Sequence, residues 1–325
     1  MTTREHINEY FNGRSFMVLC ATMLVAVTAL ALSLGVKPIA DKGNGLLFSL
    51  NTPLIGDSVL SATVNVICLL ASGFIMLALN KVFTFVRTMT RLFASAFFLL
   101  MMATPAALVS FNMGTVMCLI TAVTMMPLFA SFQDRHAQRS IFLVFALAAT
   151  GAMFHYGFLM LIPAYLIGFA NMRALDAKGV IAMLLGLLTP FWVVLGLGII
   201  NPFDIALPQW HLLGKAHVDL PLAIAAATAI GGITLAIMNL FTILNYRVQT
   251  RVYNIFLMIL LVMTVIALGL DYHDLAAFLP LLNLLVALQV AQAHTLRSTF
   301  GHRYVFMLLF VVACIAMAAV NLIRP

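Results

Sequence analysis

The sequence predicts an all-α fold: a polytopic bundle of transmembrane helices formed by a single domain that spans residues 1–325. Hydrophobic residues make up 64% of the chain and charged residues only 8%, whereas about one quarter of the residues in a soluble domain are charged. Apolar stretches of roughly 20 residues, the length that crosses a bilayer, recur along the whole chain. The composition therefore indicates a multi-pass membrane protein with no separate soluble domain.

About eleven helices are predicted from these stretches and from the Gly, Pro and charged residues between them. They are placed at 15–36, 58–79, 92–110, 113–132, 141–154, 157–170, 179–200, 221–244, 255–270, 275–291 and 304–323. The count depends on one decision, the division of a single apolar run into a short helical hairpin at 141–170, with the sequence FHYG at residues 154–157 as its tip.

The distribution of Lys and Arg favours that division. With a cytoplasmic N-terminus and eleven helices, thirteen basic residues lie inside and four outside, the latter being Lys37, Lys42, Lys215 and Arg324. If the run were one helix, nine would lie inside and eight outside, and the bias would be lost. Because basic residues concentrate on the cytoplasmic side of membrane proteins, we predict that the chain turns back near FHYG and that the protein spans the inner (plasma) membrane.

Each limb of the hairpin has about 14 residues, roughly 21 Å of helix, which is short for a complete crossing. Lipid cannot satisfy a non-helical backbone, so the tip must be buried in protein or face a wet cavity. Two interpretations of His155 stay open. Its ring ties the turn by bonding the backbone, or it lines an outward-open cavity and binds a polar ligand or moves a proton. Gly157 is expected to give the turn backbone freedom.

The outward side holds the candidate catalytic residues. Two loops of about 20 residues, at 37–57 and 201–221, and the short link DYHD at 271–274 are predicted to face outward. Carboxylates and imidazoles there are able to act as acids and bases on a lipid-linked substrate, or they are ordinary solvated loop residues. The candidates are Asp57, His155, His211, His217, Asp271 and Asp274.

Several function classes find no support in the sequence. It contains no HxH, HxxxH or HExxH spacing, no P-loop and no GxSxG elbow, so neither a metal nor another cofactor is predicted. No Asp, Glu, Lys or Arg is placed deep inside a helix, which disfavours an ion-driven transporter. Insertion explains the basic charge without nucleic acid, and membrane lipids, including anionic headgroups at the inner face, are the expected partners. Buried amides such as Asn65 and Asn239 are expected to join neighbouring helices.

Parts of residues 47–200 resemble an uncharacterised family of polytopic inner-membrane proteins of Bacteroidota. The matching stretches are LFSLNTPLIGD at 47–57, LALNKVF at 77–83, the basic QDRHAQRS before the hairpin, and LLGLLTPFW at 184–192. The resemblance implies a multi-pass membrane fold, and the family carries no assigned activity.

The layout is also similar to that of multi-pass glycosyltransferases and polysaccharide polymerases that use polyprenyl-linked sugars. These enzymes keep an acidic residue in the first outward loop, where Asp41 and Asp57 stand here. The leading expectation is a structural or accessory component of a cell-envelope process, with a cell-envelope protein as partner. The alternatives are a transferase or polymerase acting on a lipid-linked saccharide at the outer face, and a transporter or channel.

Overall fold

The structure, a computed structural model, describes residues 10–39, 45–46, 57–86, 91–199, 208, 219–296 and 300–323, with the backbone alone at 296 and 300–304. Across these residues the chain forms eleven α-helices of more than two turns and no β-strand. They are α1 Arg14–Ser33, α2 Ser58–Phe83, α3 Leu92–Met102, α4 Met113–Ala130, α5 Gln138–Phe154, α6 Leu161–Asn171, α7 Ala177–Gly196, α8 Leu220–Ile243, α9 Val248–Leu270, α10 Leu275–Leu296 and α11 Phe300–Ile323. The prediction of an all-α helical bundle is confirmed.

Eight of these helices are long and apolar enough to cross a membrane, and α3, α5 and α6 are shorter apolar helices. The protein is therefore a multi-pass membrane protein. Helix α10 forms its centre and packs against α3, α4, α8 and α9. Every residue from Asp274 to His294 is buried, as expected for a helix that is apolar on all sides. Helix α7 lies at the periphery, packs on α5 and leaves most of its surface exposed.

The prediction of one helix over residues 92–110 is wrong. Helix α3 ends at Met102, and a short 3₁₀ turn, Pro105–Ala107, follows it. Proline has no N–H to donate and disfavours helical backbone at the residue before it. Thr104 accordingly has φ −125° and ψ 75°, so the helix stops well before the point that its apolar composition suggests.

Polar side chains from α2 satisfy the backbone that this break releases. The Asn65 amide donates to the carbonyl oxygens of Ala107 and Leu108 at 3.0 and 3.1 Å, and the Phe111 N–H donates to Ser61 Oγ at 2.8 Å. Non-helical backbone at membrane depth is stable only when protein or water binds it. Asn65 therefore stabilises a broken segment as well as joining two parts of the bundle.

The predicted hairpin is confirmed. Helix α5 ends at Phe154, a 3₁₀ turn covers Tyr156–Met160, and α6 runs on to Asn171. The Gln133 N–H, before α5, donates to the carbonyl oxygen of Met172, after α6, at 2.9 Å. Since the start and the end of the hairpin are bonded to each other, the chain does turn back at FHYG.

Candidate functional site

The tip of the hairpin places His155 in the interior of the protein. His155 ends α5 with an extended backbone conformation, φ −149° and ψ 122°, and its side chain is 1% exposed. Gly157 is expected to give the turn backbone freedom, but it does not adopt a positive φ; among the described glycines, only Gly35 and Gly198 do. Its small size matters instead, because a Cβ at Gly157 would lie 2.3 Å from Cζ of Phe278.

The link between α9 and α10 brings two carboxylates to this histidine. His155 Nε2 lies 3.0 Å from Oδ2 of Asp274 and 3.8 Å from Oδ2 of Asp271. Asp271 and Asp274 are 0% and 1% exposed. We call His155, Asp271 and Asp274 the histidine–aspartate cluster. It joins the α5–α6 hairpin to the start of the central helix α10.

The hydrogen bonds of the imidazole define its tautomer. Nδ1 accepts the N–H of Gly157 at 3.0 Å, so the proton of the neutral ring is on Nε2. Nε2–H then donates to the Asp274 carboxylate at 3.0 Å. Both ring nitrogens are thus bonded inside the protein, one along the hairpin and one across to α10.

Aromatic rings and a short segment of the first predicted outward loop enclose the cluster. The His155 ring packs edge-on against Phe278 and Phe158, with centroid distances of 5.1 and 5.6 Å. The Leu46 N–H donates to the Met153 carbonyl oxygen at 2.8 Å. Residues 45–46, from the first predicted outward loop, therefore lie on the C-terminal end of α5, next to His155.

Helix N-termini account for part of the stability of the buried carboxylates. Asp274 directly precedes α10. The start of α4 lies against the same end of α10, because a Cβ at Gly114 would be 2.3 Å from the carbonyl oxygen of Ala276. A helix N-terminus carries a partial positive charge. Two such ends close to Asp274 offset some of the cost of keeping a carboxylate away from water.

The cluster also has the composition of a metal site. One ligand atom from each of the three residues lies within 4.8 Å of the others. However, an imidazole that coordinates a metal through Nε2 carries its proton on Nδ1, and here the Gly157 N–H points at Nδ1. This arrangement fits a hydrogen-bonded Nε2–H better than a metal ion.

Among the described residues, the one other predicted site residue, Asp57, is not part of the cluster. Asp57 is exposed and forms the N-cap of α2, where its carboxylate accepts the Val59 N–H at 2.9 Å. His211 and His217 lie outside the described residues. In the DYHD link, His273 is half-buried and its ring stacks on Tyr272 with a centroid distance of 4.3 Å.

The interpretation of the DYHD aspartates as solvated loop residues is wrong. The link has four residues, and a 3₁₀ turn at Tyr272–Asp274 holds it against the hairpin tip. Both carboxylates are therefore buried, at 0% and 1% exposure. The pairing of His155 with Asp274 crosses 119 residues of sequence, so no local motif reveals it. The predicted topology does indicate that the two residues are close, because it places the FHYG tip and the DYHD link on the same, outer side of the membrane.

The fold and this cluster define a multi-pass helical membrane protein in which a buried histidine–aspartate contact joins two helical hairpins at one end of the bundle. Comparisons with protein-family models, with curated proteins and with solved structures found no match.

Proposed function

We propose that this protein is a structural or accessory component of a cell-envelope process, located in the inner membrane. The observation that supports the proposal is the state of His155. Its two ring nitrogens bind Gly157 and Asp274 at 3.0 Å each, and the side chain is 1% exposed. A buried imidazole with both nitrogens bonded to its own chain stabilises the fold.

A catalytic histidine needs a different arrangement. A general base presents a free nitrogen lone pair within hydrogen-bond reach of the substrate. In this cluster the Nδ1 lone pair accepts a backbone N–H, and Nε2 donates its proton to a carboxylate. Asp57 likewise uses its carboxylate to cap α2. These contacts favour a structural role over a transferase acting on a lipid-linked saccharide.

The first test is native mass spectrometry of the protein extracted in mild detergent from its own membrane. We expect a protein partner bound at a fixed ratio, together with phospholipid only. A retained polyprenyl-linked saccharide would overturn the proposal and favour the transferase alternative, with the outer loops and the histidine–aspartate cluster as its site.

Two substitutions at one position separate the roles further. Asp274→Asn keeps an oxygen that accepts the His155 proton, whereas Asp274→Ala removes it. For a structural role, Asp274→Asn retains the partner and the thermal stability, and Asp274→Ala lowers both together. Loss of the complex or of cellular function in Asp274→Asn at unchanged stability would contradict the proposal, because only a chemical role needs the carboxylate itself.

A further inference from the structure

We propose a binding site for an anionic phospholipid at the predicted cytoplasmic ends of α5, α6 and α7. Its headgroup phosphate binds a basic cluster formed by Arg135, Arg139, Arg173 and Lys178, and an acyl chain lies along α7. All four side chains are exposed. The proposal is independent of the role of the histidine–aspartate cluster, which lies at the other end of these helices.

Two loops meet at this site. Arg135 lies in the loop before α5, and Arg173 lies in the link after α6. The hydrogen bond between the Gln133 N–H and the Met172 carbonyl oxygen, 2.9 Å long, holds these loops side by side. Basic residues that are 38 positions apart in sequence therefore share one surface.

The starts of α5 and α7 bring in the other two basic residues. A Cβ at Gly179 would lie 2.9 Å from the Ile141 side chain, and one at Gly186 would lie 2.6 Å from the Phe142 carbonyl oxygen. The two helices thus pack closely near their N-termini, where Arg139 and Lys178 are found. Both N-termini also carry the partial positive charge that attracts phosphate.

Two aspartates stand nearby, and both are engaged by their own turns. Asp134 accepts the His136 N–H at 2.8 Å, and Asp176 accepts the Gly179 N–H at 2.5 Å. With four cations and two carboxylates, the site keeps an excess of two positive charges. A phosphodiester headgroup at the membrane surface complements this excess.

The backbone at Arg173 is a second indication. Arg173 has φ 57° and lies just beyond the end of α6, a position in which glycine is preferred because a Cβ is strained there. An arginine at this position places a charged side chain on the surface at a cost in backbone energy. Strained residues of this kind are often tied to function.

Helix α7 supplies a path for the acyl chain. Its exposed apolar residues Ile181, Leu184, Leu188 and Trp192 follow each other at helical spacing, starting about one turn beyond Lys178. A lipid with its phosphate at Lys178 therefore places its hydrocarbon against this stripe. The lipid joins a charged and an apolar surface that a free anion cannot join.

The test is a titration of the full-length protein with phosphatidylglycerol in detergent, followed by native mass spectrometry, with phosphatidylcholine as the reference lipid. Each Lys or Arg near an anionic lipid contributes to the free energy of binding. Removing two of them, in Arg135→Gln with Arg139→Gln, should therefore weaken phosphatidylglycerol binding about 30-fold. Arg173→Gly alone should weaken it about fivefold.

The matched controls remove charge or strain elsewhere. Arg247→Gln with Arg251→Gln deletes two basic residues at the start of α9, and Gln133→Gly relieves a second positive φ, 60°, without changing charge. Both should leave binding within about twofold. Equal weakening by the two double variants would overturn the proposal, because it would show diffuse attraction to a basic surface. Displacement of the lipid by millimolar inorganic phosphate would also overturn it, because it would show an anion site without an acyl path.

Discussion

The two ends of the bundle use polar residues in opposite ways. At the predicted outer end, the α5–α6 tip, the α9–α10 link and the segment after α3 are buried and bonded to neighbouring helices. At the predicted cytoplasmic end, the links around α5 and α7 carry exposed basic side chains. The outer end is therefore built for internal cohesion, whereas the cytoplasmic end presents charge to its surroundings. Substitutions at the outer end should change stability, and substitutions at the basic cluster should change lipid binding.

The largest effect is expected at His155. His155→Leu fills a similar volume but leaves the Asp274 carboxylate buried without its imidazole donor. An unsatisfied buried polar group costs about 1–3 kcal/mol, and more when the group is charged. The free energy of unfolding, measured by titrating the protein in mixed micelles with a denaturing detergent, should therefore fall by about 3 kcal/mol or more.

Asp274→Asn is the control for this loss, since an amide oxygen still accepts the Nε2 proton. It should cost less than about 1 kcal/mol. If His155→Leu were as stable as the parent protein, the cluster would not be the contact that holds the outer end together.

A smaller loss is expected at Asn65. Its amide binds two carbonyl oxygens of the broken segment after α3, and its Oδ1 accepts the Thr115 hydroxyl at 2.6 Å. Asn65→Leu leaves the two buried carbonyl oxygens without this donor, which costs about 1–3 kcal/mol. The same unfolding titration measures it, and Thr63→Val on the exposed side of α2 serves as the control. A loss no larger than that of the control would show that water replaces the Asn65 amide.

These two residues also show how far the sequence predicts the structure. Helix number, hairpin topology and membrane class follow from apolar length and from the placement of Lys and Arg, because both respond to the bilayer as a whole. The partner of Asn65 and the partner of His155 do not follow from local patterns. They depend on Pro105 stopping α3 early and on the four-residue DYHD link lying against a tip that is 119 positions away. The sequence shows which polar residues are available, but the packing of the helices determines which of them come into contact.

Asp57 is expected to stabilise the protein only by capping a helix. As the N-cap of α2 it accepts the Val59 N–H, and Asp57→Ala should lower the free energy of unfolding by about 1 kcal/mol. Asp57→Ser retains a capping oxygen and should behave like the parent protein. Equal stability of all three proteins would remove the structural explanation for this carboxylate and return it to the list of catalytic candidates.

The smallest effect is expected at Arg173, at the predicted cytoplasmic end, where the backbone strain of the residue and its contact with lipid can be measured separately. Arg173→Gly relieves a left-handed backbone conformation, φ 57°, and should raise the free energy of unfolding by about 0.5–1 kcal/mol in detergent without anionic lipid. Gln133→Gly relieves a similar strain, φ 60°, and should stabilise by a similar amount. When phosphatidylglycerol is added, the parent protein and Gln133→Gly should gain stability in proportion to the lipid they bind, and Arg173→Gly should gain less. The two glycine variants therefore differ only when the lipid is present. An equal gain in both would mean that the Arg173 side chain does not contact the headgroup, and that the positive charge at this end serves membrane insertion alone.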